Sequence, residues 1–220
     1  MTALGFYWPR NHGQKLDGDH FAREAQHWAD AQDGVEDVRL YGVGGRKPVN
    51  RALICGAIEA HAPVARVAIF CHGWNNKIQG SFMVNDDSID ELADALREHG
   101  TYDVRVTLYC CSTAHDRDDI DEPLDKIDDA TAGGFAWELA RRIGPGAQVD
   151  AHLFAGHTTR APQVVRFRCG DDGDVVASWL VAPGSEFWGR WRVALTDDAD
   201  LRYRYSLMTE DEIAYRLSDK

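Results

Sequence analysis

The chain has 220 residues, of which 44% are hydrophobic and 10% aromatic, so its composition excludes intrinsic disorder and a fibrous class. This length favours one domain over two. Acidic residues outnumber basic ones by 36 to 24, and the net charge of −12 argues against nucleic acid as a partner.

The sequence shows no targeting or membrane-spanning pattern. Met1 to Arg10 lacks a charged segment followed by an apolar stretch, and no run approaches the roughly 18 apolar residues that a membrane helix needs. The five cysteines are an odd number without the regular spacing of a disulfide framework. We therefore expect a cytoplasmic protein with no membrane partner.

In chain order, the first elements predict a β-α-β unit. Phe21 to Trp28 has the pattern of a helix, and Val35 to Val43 that of a strand running into a glycine-rich loop. Asn50 is a candidate cap for the following helix. Val64 to Cys71 is an almost uninterrupted apolar run, typical of a strand buried on both faces.

The same order then repeats. Ser88 and Glu91 have capping-box spacing ahead of a helix that ends at Gly100. The next elements are predicted as strand, helix and strand: Val104 to Cys110, Phe135 to Ile143 and Val149 to Ala155. Strands that alternate with helices imply a mainly parallel sheet with helices on both faces, a single-domain three-layer α/β sandwich.

Beyond Pro162 the pattern changes. Val164 to Cys169 and Val175 to Val181 flank a glycine- and aspartate-rich turn and predict a β-hairpin. A helix near Trp188 and Trp191, and a terminal helix capped by Thr209 and Glu212, complete the predicted elements. We expect one domain over residues 1–220, with a core at about 35–160 and a C-terminal elaboration at about 163–220.

Two of the predicted strands end in residues with catalytic potential. The strand from Val64 runs into His72 and Gly73, and the strand from Val104 runs into Cys111. Functional groups collect at the C-terminal ends of strands in an open parallel sheet. If the two strands are neighbours, His72 and Cys111 emerge side by side at one edge.

This pair of residue types suits nucleophilic catalysis. A thiol with a pKa near 8.5 is only a few per cent ionised at neutral pH, so a nucleophilic Cys111 needs a base such as His72. Gly73 allows close approach of a substrate carbonyl, and its N–H with that of Cys111 could form an oxyanion hole. The alternative is structural, with His72 in a turn and Cys111 in the core.

The arrangement of strand, His72-Gly73, helix, strand and Cys110-Cys111-Ser112-Thr113-Ala114 resembles the caspase-like cysteine peptidases, most closely their bacterial members. The resemblance covers about Val35 to Arg160. It implies a Cys111 nucleophile, a His72 base, an oxyanion contact at Gly73, and a protein or peptide substrate. Cys110 leaves the nucleophile ambiguous by one position, although alternation along the strand places the two thiols on opposite sides.

Two further segments belong to the predicted site. Eight acidic residues lie between Asp116 and Asp129, either as a solvated loop, as an attractor of basic substrate side chains, or as a Ca²⁺ site. No other cofactor is indicated. By the same resemblance, His157, Thr158 and Arg160 are candidate substrate-binding residues at the end of the fourth strand.

Four other histidines are not assigned to the predicted site. His12, His20, His27 and His115 lack a metal-ligand arrangement, and we expect them at the surface.

Two other functions remain as alternatives. Phe70 to Asn76 also looks like the oxyanion loop of an α/β-hydrolase esterase, but no Gly-x-Ser-x-Gly elbow follows. A catalytically inactive caspase-like scaffold is the non-enzyme alternative. The sequence does not indicate an oligomeric state.

Overall fold

A computed structural model of the chain describes residues 1–9, 20–32, 34–79, 81–115, 132–153 and 164–179. Within these ranges lie four helices and a main sheet of seven strands. The elements in chain order are β1 (Thr2–Tyr7), α1 (His20–Asp30), β2 (Asp37–Gly42), α2 (Lys47–Ala60), β3 (Val64–Phe70), β4 (Gly73–Trp74), β5 (Lys77–Ile78), β6 (Phe82–Met83), α3 (Ser88–His99), β7 (Gly100–Tyr109), α4 (Phe135–Ile143), β8 (Gln148–His152), β9 (Val164–Cys169) and β10 (Val175–Trp179).

The main sheet has the strand order β10-β9-β8-β7-β3-β1-β2. Strands β2, β1, β3, β7 and β8 are parallel, and β9 and β10 are each antiparallel to the strand before them in the sheet. The predicted α/β class with a mainly parallel sheet is therefore confirmed. The predicted hairpin is also present, since β9 pairs with β10 across a turn containing Gly173 at a φ of +85°.

The connections explain the layers. From β2 through β3 and β7 to β8 the chain moves in one direction across the sheet, so right-handed crossovers place α2, α3 and α4 on one face. The step from β1 to β2 moves the other way and places α1 on the opposite face. Contacts agree, because α3 packs between α2 and α4, whereas α1 packs on β1, β2 and β3.

Three details differ from the sequence prediction. Strand β1 was not predicted, yet it lies between β2 and β3. Helix α2 begins at Lys47 rather than after Asn50, whose side chain instead bonds back to both backbone groups of Gly45. Ser88 does not form a capping box, because its hydroxyl accepts the N–H of Met83.

The core lies on both faces of the sheet, with strands β3 and β7 at its centre. Among the helices that the structure describes, none is both long and apolar enough to cross a membrane. The remainder of the predicted strand from Val175 to Val181 and the predicted elements at Trp188, Trp191, Thr209 and Glu212 lie outside the described residues.

Candidate active site

The candidate site begins at the C-terminal ends of β3 and β7, which are neighbouring parallel strands. Their register aligns Phe70 with Tyr109, and the two rings stack with centroids 4.4 Å apart. Two residues further along each chain come His72 and Cys111. The expected adjacency of the two strands is confirmed, and both residues lie at the same edge of the sheet.

Gly73 packs directly against the turn that carries Cys111. A methyl group at Gly73 would lie 2.6 Å from the Cys111 carbonyl oxygen, 2.7 Å from the Cys110 Cβ and 2.8 Å from the Thr113 Cγ2. Only a residue without a side chain fits so close an approach of two backbones. Glycine after His72 is therefore what allows the two strand-end loops to touch.

The turn after Cys111 is sharp. Ser112 adopts a φ of +55°, in the left-handed region that costs a residue with a side chain about 1–2 kcal/mol. The Thr113 hydroxyl donates to the Cys110 carbonyl at 3.1 Å and closes the turn. The chain thus reverses immediately after the thiol, and the cost of the backbone conformation is met by packing and hydrogen bonding around it.

The structure separates the two adjacent thiols. Cys110 is fully buried, with its Sγ 3.4 Å from the Cys71 Sγ and 3.4 Å from the Ile69 carbonyl oxygen. Burial, reinforced by contact with Cys110, raises the pKa of the Cys71 thiol. Cys111, by contrast, is only half-buried. Of the two neighbours, Cys111 is therefore the one with part of its surface exposed.

The backbone and ring of His72 are both held in place. The N–H of His72 donates to the Gln79 side-chain oxygen at 3.1 Å, and its carbonyl accepts the Gln79 N–H at 2.8 Å. The imidazole packs edge-to-face against the ring of Phe21 on α1, with centroids 5.3 Å apart. These contacts restrict the orientation of the imidazole at the sheet edge.

The N-terminus of α4 ties the two site loops together. Its first N–H groups donate to the carbonyls of Asn75, at 2.8 Å, and Thr113, at 3.0 Å. These groups have no partner within a helix, so the two loops satisfy them. The N–H of Ala114 donates in turn to the His152 carbonyl at the end of β8. The loop after Cys111 is thereby held from two sides.

Sequence reasoning missed the residues that support His72. Gln79 and Phe21 carry no motif, and only the fold brings them to the site. Asn75 and Asn76 connect β4 to β5 and could have indicated a two-residue hairpin. Trp74, on that hairpin, keeps 49% of its surface exposed and has the Lys77 ammonium 5.1 Å above its ring. It is an apolar surface beside the candidate site.

Other predicted residues are placed differently or are not described. His115 was expected at the surface, but this is wrong: it is 3% exposed, and the backbone at Gly134 packs onto the His115 backbone. His157, Thr158, Arg160 and the acidic segment from Asp116 to Asp129 lie outside the described residues, as does His12. His20 and His27 belong to α1. Within the described ranges, no group of three or more His, Cys, Asp or Glu is arranged to hold a metal ion.

Taken together, the geometry combines a partly exposed cysteine, a histidine at the end of the adjacent strand and a glycine backbone in contact with the turn that carries the cysteine. Such an arrangement can carry out acyl transfer through a covalent thioester. The chain matches no protein-family model, no curated protein and no solved structure.

Proposed function

We propose that the chain is a cysteine endopeptidase of caspase-like type, with Cys111 as nucleophile and His72 as general base and acid. The observation that carries this proposal is the packing of Gly73 against the turn from Cys110 to Thr113, which brings the residue after His72 within van der Waals contact of the Cys111 backbone. The half-buried Cys111 beside a fully buried Cys110 supports the choice of nucleophile.

In the first step, His72 takes the proton of the Cys111 thiol and the thiolate attacks the scissile carbonyl carbon. Negative charge then develops on the carbonyl oxygen. The backbone N–H groups of Gly73 and Cys111 stabilise this oxygen, an interaction that typically contributes about 10²- to 10³-fold in rate. The rigid packing of the two loops favours such a role, because fixed donors need no reorganisation when charge appears.

In the second step, the protonated His72 donates its proton to the leaving amine, and an acyl-thioester on Cys111 remains. Water then attacks the thioester carbonyl while His72 accepts its proton; the C–S bond breaks, the carboxylic acid product leaves, and His72 returns the proton to the Cys111 thiolate. Positioned proton transfer of this kind contributes about 10²- to 10⁴-fold. The edge-to-face contact with Phe21 limits the imidazole to few orientations and so supports both transfers.

We further propose that the substrate is a protein or peptide with Arg or Lys before the scissile bond. The net charge of −12 and the eight carboxylates between Asp116 and Asp129 produce a negative potential that favours cationic side chains. None of the five cysteines, all of which lie in described segments, forms a disulfide, and this agrees with the proposed cytoplasmic location.

Paired substitutions test the proposal. Cys111→Ala and His72→Ala should abolish hydrolysis of fluorogenic peptides while thermal unfolding stays close to wild type. Cys110→Ala, the matched control one residue earlier, should keep most activity. If Cys110→Ala is the inactive variant, the nucleophile is Cys110. Tight partner binding without hydrolysis would favour the inactive scaffold, and hydrolysis of simple esters but not peptides would favour an esterase.

A fluorogenic library varied at the residue before the scissile bond tests the substrate class. Arg and Lys should give the highest kcat/KM, because the negative potential raises the local concentration of cationic substrates. Added salt should reduce this preference, since exposed charges are screened over about 8 Å at physiological ionic strength. A preference for Asp or for a small apolar residue would contradict the role given to the acidic segment.

A further inference from the structure

A row of arginines crosses the main sheet toward the N-terminal ends of its parallel strands, away from the candidate active site at their C-terminal ends. The register aligns Arg66 of β3 with Arg105 of β7, Arg105 with Gln148 of β8, and Gln148 with Arg168 of β9. Aligned residues on neighbouring strands share a face of the sheet, and with strands about 4.8 Å apart the row spans about 14 Å. Arg66 lies six residues before His72, or about 20 Å along the strand.

The arrangement places like charges side by side, and the described part of the chain offers carboxylate partners to only some of them. Asp150, which is fully buried, accepts hydrogen bonds from Arg105 and from Arg166, each at 2.8 Å at its closest. Arg66 and Arg168 instead donate to neutral glutamines, at 2.9 Å to Gln32 and 3.4 Å to Gln148. Neither of these two arginines has an ion pair with any described residue.

Like charges at directly opposed positions destabilise a sheet. Arg66 opposes Arg105, and among the described residues Asp150 pairs with Arg105 while no carboxylate pairs with Arg66. A bound anion would remove the remaining repulsion.

A cavity of about 650 Å³ opens at these residues. Among the described residues that line it, the charged side chains are four arginines and the carboxylate of Asp103, against a net charge of −12 for the whole chain. Even with the buried Asp150 counted, four arginines face two carboxylates among the described residues. The volume falls in the range of about 300–1,000 Å³ that is typical of small-molecule sites.

We propose that this cavity binds a small molecule carrying two or more phosphoryl groups. Guanidinium groups match phosphoryl oxygens with paired, charge-assisted hydrogen bonds, and Arg66 and Arg168 are the members of the row with guanidiniums not committed to a described carboxylate. A row of about 14 Å suits a ligand with several anionic groups better than a single small ion. The site is independent of the proposed peptidase chemistry.

Isothermal titration calorimetry of the full chain at 150 mM salt tests the proposal, with inorganic tripolyphosphate as the probe and citrate as a polycarboxylate comparison. Arg66→Gln and Arg168→Gln should each weaken tripolyphosphate binding by about tenfold to a hundredfold. The matched control is Arg39→Gln on β2, a half-exposed arginine paired with Asp37 and absent from the cavity. It should leave the affinity unchanged.

Thermal unfolding of the unaltered protein gives a readout that needs no variant, because a ligand of the folded state raises the midpoint. A rise with millimolar tripolyphosphate and a smaller rise with citrate are expected. No rise, or a loss of affinity in Arg39→Gln equal to that in Arg66→Gln and Arg168→Gln, would overturn the site. Citrate binding as tight as tripolyphosphate binding would overturn the phosphoryl assignment.

Discussion

Replacement of Gly73 by alanine tests whether contact between the two strand-end loops builds the site. The added methyl would lie 2.6 Å from the Cys111 carbonyl oxygen, whereas ordinary contacts begin at 3.4 Å. The loops must therefore separate by about 0.8 Å, the difference between these two distances. Because the obstructing atoms are a backbone oxygen and atoms of two short side chains, no rotation of a flexible side chain can relieve the overlap.

Two magnitudes follow from this displacement. Overpacking of this kind costs about 1–3 kcal/mol, so the urea midpoint should fall by about 1 M for a slope near 2 kcal/mol per molar. Displacement of a catalytic group by about 1 Å costs up to about 10²-fold in rate. Gly73→Ala should thus lower peptide hydrolysis more than its modest loss of stability can explain, because most molecules remain folded at 25 °C.

Gly56→Ala is the matched control. Gly56 lies inside α2, and a methyl group there meets nothing within 4 Å. Alanine in a helix interior is more stable than glycine by about 0.5–1 kcal/mol, so the same substitution should stabilise the protein and leave hydrolysis unchanged. Unfolding of Gly73→Ala at the wild-type urea concentration, together with wild-type kcat/KM, would refute the role given to the contact between the loops.

Three other experiments, one labelling measurement and two substitutions, have definite expected outcomes. Burial is the main cause that raises the pKa of Cys55, to about 11. This half-buried thiol should therefore be alkylated slowly at pH 8 in the folded protein. Rapid labelling of Cys55, mapped by mass spectrometry, would contradict this prediction. Burial alone would raise the pKa of Asp150, but Arg105 and Arg166 outweigh it and lower the pKa below the usual 3.8. Asp150→Asn should therefore lower the free energy of unfolding by about 3–5 kcal/mol at pH 7. The difference in this free energy between variant and wild type should shrink as the pH falls below about 3.8, because the wild-type carboxylate is then protonated. A difference that stays constant down to pH 2 would contradict this prediction. Ser112→Gly removes a side chain from a left-handed conformation and should stabilise the protein by about 1 kcal/mol in urea unfolding, whereas destabilisation would show that the hydroxyl contributes more than the backbone costs.

The sequence alone predicted the parallel core well, because buried strands and amphipathic helices leave strong patterns. The runs at Val64 and Val104 became neighbouring strands β3 and β7, and the helix from Phe135 to Ile143 has the expected bounds. Strand β1 was missed because Thr2–Tyr7 is a short apolar segment with no turn signal before it. Asn50 was misassigned because a capping residue and an early helical residue that bonds backward have the same local pattern.

The candidate site was predictable only in part. The positions of His72 and Cys111 at strand ends follow from periodicity, but their support does not. Gln79 acts through a hairpin whose register depends on the tertiary fold, and Phe21 reaches His72 from a helix on the opposite face from α3. The burial of His115 could not be predicted either, since its backbone packs against Gly134, which lies nineteen residues away in the sequence.

The measurement that tests the central claim most directly is the alkylation rate of Cys111 at pH 6, with and without His72. An ordinary thiol is about 0.3% ionised at that pH, so rapid reaction requires a neighbouring base that takes the thiol proton and stabilises the thiolate. Iodoacetamide labelling followed by fragmentation of the peptide that contains both Cys110 and Cys111 assigns the modified sulfur. We expect Cys111 to react at least about tenfold faster in wild type than in His72→Ala, with Cys110 unmodified in both. Equal rates in the two proteins, or modification of Cys110 in preference to Cys111, would contradict the proposed pair.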